Sequence, residues 1–485
     1  MRTDVLLKGV AIAKIYGELP EEINFVTDNS SKVVIGSLFI CRKGNNGKGE
    51  DYIAESVKNG AALIMGETAE ECSACFIEVK DVRSAIIVVL NNFYDCPQNG
   101  LDIIGIVGTN GKTSTCHILS GIFSHSGIKT GRIGTIGNYI GDEKLQTNLT
   151  TPGIFELYEL MDKMRSSGVK VLIMEVSAHA IAQKRTEGIY FDALIFTNCT
   201  EDHLDYFSDM ETYLAVKRSI FYHDFAKYFI VNTDDELGRT IYRETDSDIF
   251  TYGIDNPADV FAMDVKESAD GLKYVLNAMD YVAEIDSKLI GSFNVYNSLA
   301  AVTCAVIMGI DIKNAAETLC ETEPIEGRME LVAKYNGGYV FVDYAHTPDG
   351  LEKMLVSLKK ICLGKLICVF GCGGNREKEK RRIMGKIAGK IADFTVITDD
   401  NPRYELPEVI RREIEYGVIA EYGDYVNIGD RYSAIRYALE KIGENDIAVI
   451  AGKGAETYQE INGVKYDFSD KETIIQIIGE LRGNA

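Results

Sequence analysis

The sequence has no apolar run long enough to cross a bilayer, which predicts that it has no membrane span. It is also poor in basic residues, because 51 Lys and Arg stand against 73 Asp and Glu and leave a net charge of −22. Proteins bind phosphate backbones through clustered Lys and Arg, so we expect no nucleic-acid partner. Near the N-terminus, Asp4 and Lys8 interrupt the apolar positions, which is not typical of an export signal. We therefore expect a cytoplasmic protein.

The cysteines form neither a disulfide framework nor a complete metal motif. There are eleven of them, scattered and mostly inside apolar segments, which is typical of buried thiols. Cys72 and Cys75 form one CxxC pair, but no second pair and no neighbouring histidine completes the four ligands of a structural zinc site. No Ser-His-Asp or Cys-His arrangement stands out, so we do not expect a protein nucleophile.

The chain of 485 residues exceeds one ordinary domain, and its patterns predict an α/β fold with three domains. Residues 1–98 have the pattern of a mixed α/β domain. In residues 99–329 apolar runs alternate with helical patterns, which predicts a central domain around a mostly parallel sheet. Residues 330–485 alternate in the same way and predict a Rossmann-like domain. Ligands of such sheets gather at the carboxyl ends of the strands.

A glycine loop with the sequence GTNGKT, residues 108–113, follows an apolar run and precedes a helical pattern. It is shorter than a Walker loop, because Ile106 stands where that motif has its first glycine. A strand, a glycine turn and a helix N-terminus still offer backbone N–H groups to a phosphate. Lys112 would add a point charge and Thr113 a magnesium ligand. The sequence therefore predicts that this loop binds nucleotide phosphates.

The compressed loop resembles that of the Mur ligases and their folylpolyglutamate synthetase relatives, which are ATP-dependent amide-forming enzymes. From about residue 25 to the C-terminus, further segments follow in the order of that family: MEVSAHA (174–180), DHLDYF (202–207), YLAVKRSIF (213–221), GSFNVYNSLAA (291–301), EGRME (326–330) and VDYAHTPD (342–349). Within the family the chain looks like the UDP-N-acetylmuramoyl-tripeptide synthetases, which join a diamino acid to the D-glutamate of UDP-MurNAc-L-Ala-D-Glu. The resemblance implies a ligase of peptidoglycan synthesis, which serves cell-wall biogenesis, cell shape and cell division.

The resemblance also implies ATP and Mg²⁺ as cofactors and assigns residues to both. The ATP contacts would be Gly108, Thr109, Asn110, Gly111, Lys112, Thr113, Ser114, Asn294, Arg328 and Asp343. The catalytic residues would be Lys112, Glu175, His203 and Lys217, and the magnesium ligands Thr113, Glu175, His203 and Lys217 as a carbamate. Glu175 and His203 each follow an apolar run, so we expect both at strand ends beside the loop. Taken by itself, Lys217 would be an exposed helix lysine.

For the UDP-linked muramoyl dipeptide the resemblance assigns Ser30, Thr150, Thr151, Ser177, Gln183 and Arg185. Ser30 is the weakest of these matches, because the family has an Asp and an Arg on either side of the serine and this chain has Asn29 and Ser31. By themselves, the two threonines are equally typical of loops and helix caps, and Arg185 of a surface charge.

For the incoming amino acid the resemblance assigns Arg376, Asp400, Asn401, Pro402, Arg403, Gly452 and Glu456. The DNPR turn, residues 400–403, follows an apolar run, and Asn-Pro alone would already predict a turn there. This form resembles the enzymes that use meso-diaminopimelate, which implies that Arg403 meets the far carboxylate. A lysine substrate has no such group and would leave the guanidinium unpaired.

Alternatives to this interpretation stay open. The same reaction could use L-lysine or another diamino acid, the chain could be a folylpolyglutamate synthetase, or it could be a non-catalytic nucleotide-binding paralogue. The DNPR turn and the N-terminal domain argue against a folylpolyglutamate synthetase. The presence of Lys112, Glu175, His203 and Lys217 argues against a non-catalytic paralogue. Ala178, Glu377 and Ala455 depart from the usual family residues and leave room for another substrate preference. We expect a monomer.

Overall fold

The computed structural model describes residues 1–42, 49–145, 147, 149–202, 204–222 and 224–483. The N-terminal unit is a five-stranded sheet in the order β1-β5-β4-β3-β2, in which only the edge strand β1 is antiparallel to its neighbour. Its strands are β1 Ile12–Tyr16, β2 Phe25–Thr27, β3 Ser37–Ile40, β4 Ala61–Gly66 and β5 Cys75–Val79, and its helices are α1 Thr3–Leu6, α2 Ile53–Lys58 and α3 Val82–Phe93.

The central unit is an 11-stranded sheet whose middle strands are parallel. The strands are β6 Asp102–Val107, β7 Thr130–Ile133, β8 Asn138–Ile140, β9 Glu143–Leu145, β10 Val171–Val176, β11 Phe191–Phe196, β12 Ala226–Asn232, β13 Asp248–Gly253, β14 Val260–Ser268, β15 Gly271–Ala278 and β16 Tyr281–Ser287. The helices are α4 Lys112–His125, α5 Ile154–Ser166, α6 Ala178–Ala182, α7 Leu204–Phe207, α8 Met210–Arg218, α9 Glu236–Glu244, α10 Phe293–Ile307 and α11 Ile312–Glu321.

Strand β6 lies in the middle of this sheet, between β10 and β11. Its side chains alternate between the two faces, so Ile103 joins the hydrophobic core on one face and Ile104 the core on the other. Val107 is in register with both Val176 and Phe196. The glycine loop that follows β6 therefore lies beside the carboxyl ends of its two neighbours. The antiparallel strands β14 to β16 extend the sheet at one edge, which the sequence patterns did not predict.

The C-terminal unit is a six-stranded sheet in the order β17-β18-β22-β19-β20-β21, parallel except for the edge strand β17, with a separate hairpin of β23 and β24. The strands are β17 Glu330–Tyr335, β18 Gly338–Asp343, β19 Leu366–Phe370, β20 Phe394–Ile397, β21 Tyr425–Asn427, β22 Ile447–Ala451, β23 Tyr458–Ile461 and β24 Val464–Asp467. The helices are α12 Pro348–Ile361, α13 Glu379–Ile391, α14 Pro407–Ala420, α15 Arg431–Lys441 and α16 Asp470–Gly483.

The structure confirms the α/β prediction, with mostly parallel sheets flanked by helices. The three larger sheets occupy successive stretches of the chain, and the boundaries 1–98, 99–329 and 330–485 stay a prediction. Within the described part of the chain, no helix is both long enough and apolar enough to span a membrane.

Candidate active site

A cleft of about 970 Å³ lies between the central and C-terminal units. Both parallel sheets point the carboxyl ends of their strands into it. The central sheet contributes residues at the ends of β6, β10, β11 and β12, and the C-terminal sheet contributes residues at the ends of β18, β19, β20 and β22. The predicted site residues that line this cleft are Thr109, Asn110, Gly111, Lys112, Thr113, Ser114, Thr150, Glu175, Ser177, Arg185, Arg328, Asp343, Arg376, Asp400, Asn401, Arg403, Gly452 and Glu456.

The glycine loop forms the N-terminus of α4. Gly111 has a φ of 86°, in the left-handed region that glycine tolerates. A Cβ atom there would also overlap the Oδ1 atom of Asn297, which lies on α10. Lys112 folds back over the loop, and its Nζ donates to the carbonyl oxygens of Gly108 and Thr109, both at 2.8 Å. The loop therefore has the strand, turn and helix arrangement of a phosphate site.

Thr113 and Glu175 meet at the base of the loop. The Thr113 hydroxyl donates to Glu175 Oε1 at 2.9 Å, and the Thr135 N–H donates to the same oxygen at 3.0 Å. Glu175 is 2% exposed and lies one residue before the end of β10, at the strand end where the sequence predicts it. A hydroxyl and a carboxylate together fit Mg²⁺, which prefers oxygen ligands and keeps several waters. His203, the other predicted ligand, lies outside the described residues.

Lys217 is fully buried on α8, although its sequence position suggested an exposed lysine. Its Nζ donates to Thr109 Oγ1 at 2.6 Å and lies 4.2 Å from the centre of the Tyr213 ring. Burial lowers the pKa of Lys217 to about 7, and the nearby Lys112 cation acts in the same direction. At neutral pH a large fraction of this amine is therefore uncharged.

Asn294 lies one layer behind the cleft and is 2% exposed. Its Nδ2 donates to the carbonyl oxygen of Ile290 at 2.8 Å, and its Oδ1 accepts from Asn297 Nδ2 at 2.9 Å. Asn297 in turn lies against Gly111. Asn297 was not predicted as a site residue, although it follows Asn294 by three residues and therefore lies on the same face of the helix.

Arg328 and Asp343 fix the segment that crosses from the central to the C-terminal unit. Asp343 accepts hydrogen bonds from the backbone N–H groups of Met329 and Ala345, both at 2.7 Å, and burial raises the pKa of its carboxyl group. The Arg328 guanidinium lies 4.2 Å from the centre of the Tyr344 ring. A cation is thereby held over an aromatic face, and it points into the cleft near the loop.

The residues predicted for the muramoyl dipeptide form a continuous set. Arg185 Nη1 donates to the carbonyl oxygen of Thr151 at 2.7 Å, and its Nη2 donates to Gln183 Oε1 at 2.7 Å. The Ser177 N–H donates to Thr151 Oγ1 at 3.0 Å. Arg185 is half-buried rather than a free surface charge, and Thr150 lines the cleft beside it.

Ser30 stands apart from this set. It begins a short 3-10 turn in the N-terminal unit, where its carbonyl oxygen accepts from Asn59 Nδ2 at 3.0 Å. Asn29, which replaces the usual Asp, caps that turn by accepting from the Ser31 N–H at 3.0 Å. Ser30 is outside the lining of the cleft, and its assignment to the uridine nucleotide stays a prediction.

A buried lysine holds the DNPR turn in the C-terminal unit. Lys453 Nζ donates to Asn401 Oδ1 at 3.1 Å and to Glu456 Oε2 at 3.0 Å, and Asn401 Nδ2 donates to the same Glu456 oxygen at 2.9 Å. Lys453 was not predicted as a site residue, although it lies in the GKGAE segment between the predicted residues Gly452 and Glu456. These contacts fix the position of the Glu456 carboxylate at the cleft.

Arg403 has a φ of 52° and is held from two sides. Its Nη1 donates to the carbonyl oxygen of Gly374 at 2.8 Å, and its Nε lies 3.3 Å from Glu460 Oε2 on β23. Its side chain is 22% exposed and lines the cleft near Arg376. The guanidinium is therefore oriented before any substrate arrives.

Three models of protein domains match successive stretches of the chain. The model described as "Mur ligase middle domain" matches residues 106–305, "Mur ligase, glutamate ligase domain" matches residues 327–454, and "Mur ligase family, catalytic domain" matches residues 22–94. The chain belongs to the Mur ligase family. It is therefore an ATP-dependent ligase that forms a peptide bond in the synthesis of peptidoglycan precursors.

Relatives of this Mur ligase match it along almost its whole length. A protein of Caldanaerobacter subterraneus subsp. tengcongensis named UDP-N-acetylmuramoyl-L-alanyl-D-glutamate–2,6-diaminopimelate ligase is 40% identical and covers 99% of both chains. A protein of the same name from Clostridioides difficile is 39% identical and covers 99% of this chain and 100% of its own. A solved structure of a ligase with that name has a TM-score of 0.69 at 29% identity and covers 95% and 96% of the two chains.

Proposed function

We propose that this Mur ligase adds meso-diaminopimelate to the D-glutamate of UDP-MurNAc-L-Ala-D-Glu, which is the MurE reaction. The observation that carries the proposal is Arg403, a half-buried guanidinium held at the cleft by Gly374 and Glu460. A carboxylate at the far end of the amino acid would pair with it through charge-assisted bonds. The names of the full-length relatives support the same substrate.

The reaction would proceed through an acyl phosphate. The side-chain carboxylate of the D-glutamate attacks the γ-phosphorus of ATP, and ADP leaves. An amine of diaminopimelate, after losing a proton, attacks the acyl carbon, and phosphate leaves as the amide forms. Lys112 and Arg328 would stabilise the charge on the phosphates, and Asp400, Asn401 and Glu456 would hold the amino acid.

Thr113 and Glu175 would hold a magnesium ion at the phosphates, together with His203 and carbamylated Lys217. Bound there, the ion would neutralise charge on the γ-phosphate and the leaving ADP. The chain's own contribution is to hold the Glu175 carboxylate in place, through the hydroxyls of Thr113 and Thr135.

The burial of Lys217 supports the proposed carbamylation of its amine. Carbon dioxide reacts with an uncharged amine, and burial has lowered the pKa of this amine to about 7. A carbamate would also replace a buried cation beside Lys112 with an anion. We further propose that the enzyme works as a cytoplasmic monomer; the residues described on both sides of the cleft belong to the central and C-terminal units of the same chain.

Phosphate release tests the proposed substrate. The full chain is given ATP, magnesium and UDP-MurNAc-L-Ala-D-Glu, with meso-diaminopimelate or L-lysine in parallel. We expect release with meso-diaminopimelate only. Arg403→Ala should lower kcat/KM for meso-diaminopimelate about 10- to 100-fold, because a hydrogen bond to a charged group is worth about 1.5–3 kcal/mol.

Arg412→Ala is the matched control, because Arg412 is an exposed arginine on α14. Equal turnover of L-lysine would refute the assignment of Arg403 and leave the ligase chemistry intact. Release with neither amino acid would favour a paralogue with another substrate.

A further inference from the structure

The carboxylate of Asp349 joins the C-terminal unit to the glycine loop. Asp349 Oδ2 accepts from Asn110 Nδ2 at 2.6 Å and from Thr200 Oγ1 at 3.0 Å, and Lys353 Nζ lies 3.0 Å from the same oxygen. Asn110 and Asp349 are 239 positions apart in the chain and lie on opposite sides of the cleft. The contact is therefore a link between two units and not a local turn.

Helix capping does not account for this carboxylate. Thr347 already caps α12, because its Oγ1 accepts from the Gly350 N–H at 3.2 Å. An acidic residue in the first turn stabilises a helix even when its side chain faces water. Glu408 is such a residue, because it follows the proline that begins α14 just as Asp349 follows the proline that begins α12. The Glu408 side chain is 66% exposed, whereas that of Asp349 is 23% exposed and turned to the loop.

The main chain of Asn110 is fixed by the central unit. Its N–H donates to Asn198 Oδ1 at 3.0 Å, and its carbonyl oxygen accepts from Thr197 Oγ1 at 2.7 Å and from Asn198 Nδ2 at 3.1 Å. Its side-chain amide reaches across to Asp349. One residue of the phosphate loop is thus held by both units that form the cleft.

We propose that Asp349 is a positioning residue that couples closure of the C-terminal unit to the shape of the phosphate loop. With the unit in place, the carboxylate orients the side chain of Asn110 in the loop that would receive the ATP phosphates. With the unit displaced, Asn110 loses this partner and the loop is less ordered for ATP. The inference rests on ATP use and not on which amino acid is added.

Affinity for a non-hydrolysable ATP analogue with magnesium, measured by calorimetry on the full chain, tests the proposal without any acceptor. Asp349→Ala should weaken binding about tenfold, as expected for one hydrogen bond to a charged group. Asn110→Ala should have a similar effect, and the double variant should lose less affinity than the sum of the two single losses, because the contact between Asn110 and Asp349 is absent in all three variants. Glu408→Ala should bind like the wild type.

Additive losses in the double variant, or wild-type affinity in Asp349→Ala, would overturn the proposal. A purely structural role would lower the melting temperature and leave the affinity of the folded protein unchanged. Should Asp349→Ala not fold, Asp349→Asn keeps the size and an acceptor oxygen and should still weaken binding severalfold; unchanged affinity there would equally refute the coupling. Because no amino acid is added, failure of the diaminopimelate assignment would not alter these outcomes.

Discussion

Lys217 shows how burial can change the chemistry of one side chain. A lysine ammonium is costly to bury, and the contacts of Lys217 with described residues include the Thr109 hydroxyl, the Cys199 thiol and the face of the Tyr213 ring. The depressed pKa follows from that cost. A residue retained in such a place is therefore more easily explained by function than by stability.

We expect Lys217→Met to abolish turnover without lowering stability. The thioether side chain fills a similar volume and removes the buried charge, so the melting temperature should stay the same or rise. Loss of the proposed carbamate should reduce phosphate release by roughly 100-fold or more. Lys163→Met is the control, because Lys163 is an exposed lysine in α5. Normal turnover in Lys217→Met would contradict the role of the carbamate.

Two helices of the C-terminal unit begin at a buried ion pair. Arg431 starts α15 and Asp470 starts α16, and their side chains are joined by two hydrogen bonds of 2.7 Å with no exposure to solvent. Arg431 Nη2 also donates to the carbonyl oxygen of Ala451 at 3.0 Å, at the end of β22. The pair thus holds the strand end that carries Gly452.

Asp470→Asn should destabilise this unit, because it leaves the buried Arg431 cation without its charge partner. The expected loss is about 3–5 kcal/mol, measured as a shift of the urea unfolding transition of the full chain. Glu440→Gln breaks a comparable pair with Arg436 on the surface, where both side chains are partly exposed. It should cost less than about 1 kcal/mol. Equal losses in the two variants would show that burial of the pair does not matter.

At the scale of the whole molecule, the regions proposed for ATP and for the amino acid lie in different parts of one cleft. Lys112 and Arg328 line the part proposed for the nucleotide, and Arg403 lines the part formed by the C-terminal strand ends. A ligand that binds only the folded state raises the free energy of unfolding, by about 2.7 kcal/mol when its concentration is a hundred times Kd. The melting temperature rises with it.

A non-hydrolysable ATP analogue with magnesium should therefore stabilise the wild type and Arg403→Ala equally in thermal unfolding. Lys112→Met should lose most of this stabilisation, because the phosphates lose their point charge. If Arg403→Ala lost it as well, the division of the cleft into nucleotide and amino-acid sides would be wrong.

The parallel strands, the glycine loop and the resemblance to the family could all be predicted from the amino-acid sequence. Apolar runs predict strands because burial on both faces of a sheet requires them, and β6, β10, β11 and β12 lie where those runs are. The glycine loop could be predicted because a turn, a lysine and the start of a helix are local features of the sequence. The DNPR turn was readable for the same reason.

Contacts between side chains far apart in the chain, and the depth of their burial, could not be predicted from the sequence and are known only from the tertiary structure. The sequence predicts an exposed lysine at position 217, but α8 packs Lys217 against Thr109. Asp349 has the sequence position of an ordinary first-turn acid, but its carboxylate contacts Asn110 of the central unit. Lys453 and Asn297 each lie close to a predicted residue in the chain, but the burial of Lys453 and the packing of Asn297 against Gly111 could not be predicted for this reason. Burial and long-range contacts depend on how whole elements pack, and no local pattern in the chain records that packing.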